Sequence, residues 1–265
     1  MGNTKISWAG KTWNWVTGCS KVSAGCAHCY AERISLRYGW SQFPWTAQHA
    51  TDNVKLHPDR LRQPYSWTKP VRCFVCSMAD LFHPLVPDDF LKEGFEVMAD
   101  LPQHVFMILT KRIERAARWA NYPDNVWLGT SVEDAKVVER IDTLRQAPAK
   151  TRFVSFEPLI GPVGRLDLTG IHWAIVGGES GNGFRPMNHA WARAIRDQCV
   201  RAGTAFFFKQ SASVRSESRT ALIEEDGSCA VWHQFPDELT RPVPVKPGDK
   251  PSAMPPDGLQ QPLLF

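Results

Sequence analysis

Seven short apolar runs recur along the chain: 12–17 (TWNWVT), 71–77 (VRCFVCS), 104–110 (HVFMILT), 125–131 (NVWLGTS), 152–157 (RFVSFE), 172–177 (HWAIVG) and 204–210 (TAFFFKQ). Each is rich in Val, Ile, Phe and Trp, and apolar nearly throughout rather than alternating. A strand buried on both faces, as in a parallel sheet, has this pattern. Between the runs the period changes. Phe90, Gly94, Val97, Met98 and Leu101 fall at helical spacing, and Pro87, Asp88 and Asp89 suit that helix's first turn. Further stripes are Ile113, Ala116, Ala117 and Ala120; Val137, Val138, Ile141 and Leu144; and Trp191, Ala194, Ile195, Cys199 and Ala202. Asn188 suits the N-cap of the last stripe, and Gly203 lies past its end. Alternating strands and helices predict an α/β fold with a parallel sheet. A complete eightfold barrel averages about 250 residues. Seven strands, with an insertion and a tail to subtract, predict a partial (β/α) TIM-like barrel of about six to seven parallel strands.

Two segments break the alternation. Residues 40–70 carry Trp40, Phe43, Trp45, Tyr65 and Trp67 among prolines without a period, and read as an insertion over one end of the sheet. Residues 241–265 hold 7 of the 20 prolines and too little apolar content to fold alone. The expected division is therefore a barrel domain over 1–240 and a flexible tail over 241–265. A hydrophobic share of 43% and a charged share of 22% are globular values. No apolar run approaches the roughly 18 residues of a membrane helix, and the start MGNTKISWAG lacks the apolar core of a secretory signal. Seven cysteines, an odd count, argue for a reducing compartment, so a cytoplasmic location without membrane attachment is expected. A net charge of +4 leans mildly toward anionic partners.

The densest chemistry lies in GCSKVSAGCAHCYAE, where Cys19, Cys26 and Cys29 are spaced C-x6-C-x2-C after the first predicted strand. Three thiolates on one loop suit an iron–sulfur cluster with one iron left open. Structural zinc needs a fourth protein ligand, for which His49 or His57 are candidates. Unligated cysteines are the third reading. Cys73 and Cys76 also read CxxC, but inside a strand residues i and i+3 point to opposite faces, so they are expected to be buried hydrophobes.

A three-cysteine loop after the first strand of a (β/α) barrel resembles the radical S-adenosylmethionine superfamily. More closely, TWNWVTGCSKVSAGCAHCYAE, CSMADLFH, ILTKR, GTSVED, SFEPLIGPV, VGGESG and FFFKQ resemble a phage-associated family of largely uncharacterised proteins. The order of strand ends in LTK, GTS and FEP is similar to spore photoproduct lyase and its relatives. The loop is three residues longer than the superfamily's usual C-x3-C-x2-C. The resemblance implies a [4Fe-4S] cluster on Cys19, Cys26 and Cys29, and S-adenosyl-L-methionine reduced by an external electron donor to methionine and a 5′-deoxyadenosyl radical. It places cofactor binding at His28, Tyr30, Ser77, Asp80, Lys111, Ser131 and Glu157, with Asp80 or the Ser77 region on the cofactor's amino group. Glu179, Arg185, Lys209 and Gln210, at later strand ends, are candidates for substrate contact. Cys76, if it faces inward, is a candidate hydrogen-atom donor.

The tail ends in Gln261, Pro262, Leu263, Leu264 and Phe265, which resembles the bacterial sliding-clamp-binding pentapeptide of form Q-L-x-L-F, with Pro262 as the departure. Gln261, Leu263, Leu264 and Phe265 are its candidate contacts with a clamp. Basic residues and the insertion's aromatics add the chemistry of base stacking and phosphate contact. The sequence thus points to a radical S-adenosylmethionine enzyme acting on a DNA base, by lesion repair or by modification. A zinc-stabilised DNA-associated adaptor, and radical chemistry on a small molecule or peptide, stand as alternatives.

Overall fold

The computed structural model describes residues 4–236 and the two-residue strand Leu263–Leu264. Seven strands form one sheet: β1 (Lys11–Trp13), β2 (Arg72–Val75), β3 (Val105–Thr110), β4 (Val126–Ser131), β5 (Thr151–Phe156), β6 (Trp173–Gly177) and β7 (Ala205–Gln210). They lie in chain order and every neighbouring pair is parallel. This is the partial barrel that the apolar runs predict. All seven runs supply a strand, and six of them with ends moved by no more than two residues.

The first run departs most. Only its start joins the sheet. Beyond Asn14 the chain bends, and Val16–Thr17 pairs antiparallel with Lys55–Leu56, anchoring the 40–70 insertion. Trp13, Trp15 and Val16 are all fully buried, so the run is apolar because the bend itself is core. The chain forms α1 (Tyr30–Arg37) directly after the cysteine loop, and the four predicted helices are present as α2 (Asp88–Ala99), α3 (Ile113–Ala117), α4 (Arg140–Gln146) and α5 (His189–Ala202). Asn188 caps α5, its side chain accepting from Ala190 N at 2.9 Å, and Gly203 ends it in the left-handed region at φ 69°.

Side-chain alternation divides the core in two. Outward residues such as Val126 and Leu128 join the helices in a large cluster. Inward residues Phe74, Met107, Trp127, Phe153, Trp173 and Phe207 fill the concave face with Trp8. Trp8 sits 4.7 Å from Phe74 and 6.3 Å from Trp173, so the segment before β1 plugs the floor of the half-barrel. Further along the same inward rows come Ser131, Ser155 and Lys209, which turns the carboxyl edge of the sheet polar.

Cys76 sits at φ 54°, in the left-handed region, immediately after β2. That twist breaks strand alternation, and Cys73 and Cys76 both enter the outer core cluster. The expectation of opposite faces is corrected; their burial, at 0% and 2% exposure, is as expected. Cys76 packs with the helix-side core, and the inward orientation on which a hydrogen-donor role depended is not met.

Candidate active site at the carboxyl edge of the sheet

The cysteine loop begins where Gly18 re-forms a parallel bridge to Ala79 beside β2. Gly18 has φ 80°, and a Cβ there would lie 1.9 Å from Asn53 O, so both backbone and space require glycine. The loop passes through a single turn at Ala24–Cys26 and runs through Cys29 directly into α1. All three cysteines are half-buried residues and none is in a disulfide.

Strand-end side chains hold this loop at three points. After β3, Arg112 donates from Nη1 to Cys19 Sγ at 3.5 Å, and from Nη2 to Ser20 O at 2.9 Å and Ser20 Oγ at 3.0 Å. After β4, Glu133 Oε1 accepts from Ser23 Oγ and from Gly25 N at 3.0 Å. Its Oε2 lies 3.1 Å from Arg140 and 3.9 Å from Lys111. After β6, Glu179 accepts from Arg185 and shares a 2.8 Å contact with His28 Nδ1, while Arg185 Nη1 donates to Ala24 O at 3.0 Å. The insertion adds a fourth hold. Lys21 N donates to Trp45 O at 3.1 Å, and Glu32 joins Lys21 Nζ at 2.9 Å and Trp45 N at 2.8 Å.

The sequence-derived site residues divide by what already occupies them. Asp80 has no oxygen to spare. Oδ1 accepts from Thr110 Oγ1 (2.6 Å) and Phe82 N (3.1 Å), and Oδ2 from Lys111 N and Arg112 Nη1 (both 3.0 Å). It fixes Arg112 rather than offering a free carboxylate to an ammonium. Ser77 Oγ donates to Asn14 Oδ1 at 3.2 Å, and Tyr30 OH to Ser77 O at 2.6 Å. Ser131 is 3% exposed, and its carbonyl accepts from Arg140. Glu157 receives Ser155 Oγ and Lys209 Nζ, each at 3.0 Å. Gln210 donates to Gly178 O at 3.0 Å and accepts from Glu217 N at 2.6 Å, bridging β6 to the loop after β7. Glu179 and Arg185 grip the cysteine loop. Of the tail residues, Gln261 and Phe265 lie outside the described residues. Leu263–Leu264 pairs antiparallel with Cys229–Val231 through its backbone.

The electrostatics follow from burial and these partners. Burial pushes the Cys19 thiol up to about 12; Asp80 adds to the rise and Arg112 opposes it. Burial likewise raises Cys29, against hydrogen bonds from the start of α1. Cys26 lies within electrostatic reach of both. Burial disfavours the Glu133 carboxylate, but Lys111, Ser23, Gly25 and Arg140 together hold it below the usual range. Glu179 is lowered in the same way, its hydrogen bonds from Arg185 and His28 outweighing burial. Among the described residues, no three His, Cys, Asp or Glu side chains are drawn around one point as a finished metal site. The donors nevertheless fit a thiolate-ligated group in kind. They are three soft thiols on one anchored loop, which a bound cation would convert to thiolates. His57 Nε2 meets Thr17 Oγ1 at 2.8 Å and His49 stacks on Phe43 at 4.5 Å; among the described residues neither is gathered with the cysteines around one point.

The residues that sequence reasoning missed are the loop's holders. Arg112 and Glu133 stand at strand ends, but nothing local tells a ligand-facing charge from one aimed at a loop about a hundred residues away. Asn14, at the break of the first run, is the other; it receives both Ser77 Oγ and Met78 N.

The model of a family described as a protein of unknown function, DUF5131, matches residues 3–236. No curated protein matches the sequence. Solved structures of spore photoproduct lyase align with part of this chain. One mutant aligns with a TM-score of 0.45 and 13% identity over 74% of this chain. Another, with dinucleoside spore photoproduct, aligns with a TM-score of 0.46 and 14% identity over the same share. The chain spans 62% of the length of those chains.

Proposed function

The chain belongs to DUF5131, and on that premise we propose that it is a radical S-adenosylmethionine enzyme acting on a DNA base. The observation that carries this reading is the placement of Cys19, Cys26 and Cys29 on one loop at the carboxyl edge of a parallel half-barrel, held by side chains from three separate strand ends. Function in (β/α) barrels collects at that edge. The three cysteines would hold a [4Fe-4S] cluster, which with S-adenosylmethionine and an electron from an external donor supplies a 5′-deoxyadenosyl radical.

This chain's own residues do the positioning. Arg112 brings a cation and an N–H to the first thiol. Hydrogen bonds to ligating sulfur are among the features that set a cluster's potential. Glu133 and the Glu179–Arg185 pair fix the additional residues of the long loop. Lys111, Ser131, Glu157 and Lys209 line the polar rim against which the cofactor would lie. Asp80 serves through Arg112. The sliding-clamp peptide at the tail remains part of the proposal, as a tether to DNA.

The test is anaerobic reconstitution with iron and sulfide, followed by iron analysis, visible absorption and a search for 5′-deoxyadenosine after adding S-adenosylmethionine and dithionite. A brown protein that loses its iron when Cys19, Cys26 and Cys29 are changed to Ala, and that forms 5′-deoxyadenosine, is expected. A colourless zinc protein, or one binding no metal, overturns the reading. Adding irradiated and unirradiated DNA separates repair from modification.

A further inference from the structure

A cavity of about 820 Å³ opens beside the cysteine loop, in the size range of small-molecule sites. A wider hollow of about 1010 Å³ around Gly164–His172 lies at the opposite edge of the sheet, where the strands begin, far from the cysteines. Tyr30 and Gly18 border the first cavity, so whatever enters it meets the start of α1 and the entrance of the loop.

Three features of its walls are unspent. The first is an aromatic face. Trp40 lines the cavity, is 61% exposed, and stacks on Tyr38 at 5.4 Å and 25°. The second is positive charge. Lys5, Lys55 and Arg60 all line it, and neither Lys5 nor Lys55 has an acidic partner among the described residues. The third is a carboxylate. Glu217 lines the cavity from the loop after β7; its Oε1 is buried without a hydrogen-bond partner, and Oε2, the oxygen that is not buried, has none among the described residues. Its nearest cation, Lys209 Nζ, is 3.9 Å away and sits closer to Glu157, at 3.0 Å. Two carboxylates thus share one ammonium and leave a negative charge over. Glu217 also occupies φ 55°, a region costly for a residue with a side chain, and Gln210 holds its backbone there through the 2.6 Å bond to Glu217 N. A non-glycine residue kept in that conformation beside a cavity is where function is worth seeking.

An aromatic face to stack on, cations for phosphate and an unused carboxylate for N–H donors together describe one ligand chemistry. We infer that this cavity receives a single nucleotide of a DNA strand whose base carries an amino group, with Glu217 reading that group. The inference rests on the DNA reading above for the polymer, but not on radical chemistry. Stacking on Trp40 is indifferent to the base. Lys5, Lys55 and Arg60 hold phosphate, also without base preference. A carboxylate accepts from an exocyclic amino group, as from cytosine N4, which thymine lacks. Glu217 is therefore the specificity-determining group.

The test is fluorescence anisotropy of the full-length protein with short labelled oligonucleotides of deoxycytidylate, deoxyadenylate and thymidylate. The amino-bearing strands are expected to bind about tenfold tighter than thymidylate. Glu217→Leu, which removes both acceptor oxygens where glutamine would keep one, should collapse that gap. Lys55→Ala combined with Arg60→Ala should weaken all three alike and flatten the salt dependence. Thermal unfolding of Glu217→Leu near the wild-type midpoint guards against misfolding. Equal affinity for the three strands, no binding to any, or a preference that survives Glu217→Leu overturns the inference. Base-selective binding without 5′-deoxyadenosine formation sinks the radical reading and leaves this one standing; the reverse outcome does the opposite.

Discussion

Asp80 shows how one carboxylate can organise a site without touching a ligand. Its two oxygens take four donors, among them the guanidinium that bonds Cys19. Asp80→Asn would leave Arg112 beside the thiol without its counter-charge. Breaking one side of a buried ion pair costs about 3–5 kcal/mol. The low end is expected, because Arg112 keeps Ser20. Asp88 also pairs with an arginine, Arg115, but its side chain is 76% exposed, so Asp88→Asn should cost less than about 1 kcal/mol. Denaturant midpoints of the two variants check the contrast, and equal losses would show that the Asp80 pair is no more than a surface contact. The same residues mark what was legible in sequence. Strand periodicity located Lys111, Ser131, Glu157 and Glu179 at strand ends, where the structure has them, and Asp80 beyond the second strand, which ends earlier, at Val75. It did not tell which ends point at a ligand, because partners such as Glu133 with Gly25, or Arg185 with Ala24, are set by folding and leave no local trace.

At the level of elements the apolar runs carried most of the information, since strands buried on both faces have little freedom to be read otherwise. The insertion resisted, because its short helix at Ala50–Asn53 and its strand at Lys55–Leu56 are too brief to show a period. Helix α2 sharpens the point. Gly94 lies on its apolar stripe, and on helix propensity alone Gly94→Ala should gain about 1 kcal/mol. A Cβ there would meet the Trp15 ring at 2.4 Å, and Trp15 is fully buried at the bend of the first run. Overpacking a closed core costs about 1–3 kcal/mol. Net destabilisation is therefore expected, and Trp15→Leu in the same chain should turn Gly94→Ala favourable. A double-mutant cycle by chemical denaturation measures the coupling; additive effects would mean that helix and bend do not touch as described.

Across the whole molecule, burial acts on histidine in one direction. His57, His83, His104, His172, His189 and His233 all have lowered pKa values with desolvation as the leading cause, and His83 falls to about 4. Each imidazole binds its proton more readily in the unfolded chain, so acid favours unfolding. Their contribution is complete above the ordinary value of 6.5 and is lost as pH falls toward about 4. Glu133 and Glu179, also lowered, extend the loss to still lower pH in the same sense. The midpoint of thermal unfolding should thus drop between pH 7 and pH 5. His104 isolates one share of the effect. It is fully buried, neither ring nitrogen has a hydrogen-bond partner, and it meets Trp67 and Phe106 edge-on. A buried polar group with no partner gives up little when an apolar ring of similar shape replaces it. His104→Phe should therefore be neutral or stabilising at pH 7 and lose less than the wild type on acidification. It lies near the start of β3, at the opposite edge of the sheet from the cysteine loop, so this change can be read without disturbing the site. A loss between pH 7 and pH 5 as large as the wild type's would remove His104 from the account and leave the acid sensitivity to the remaining histidines.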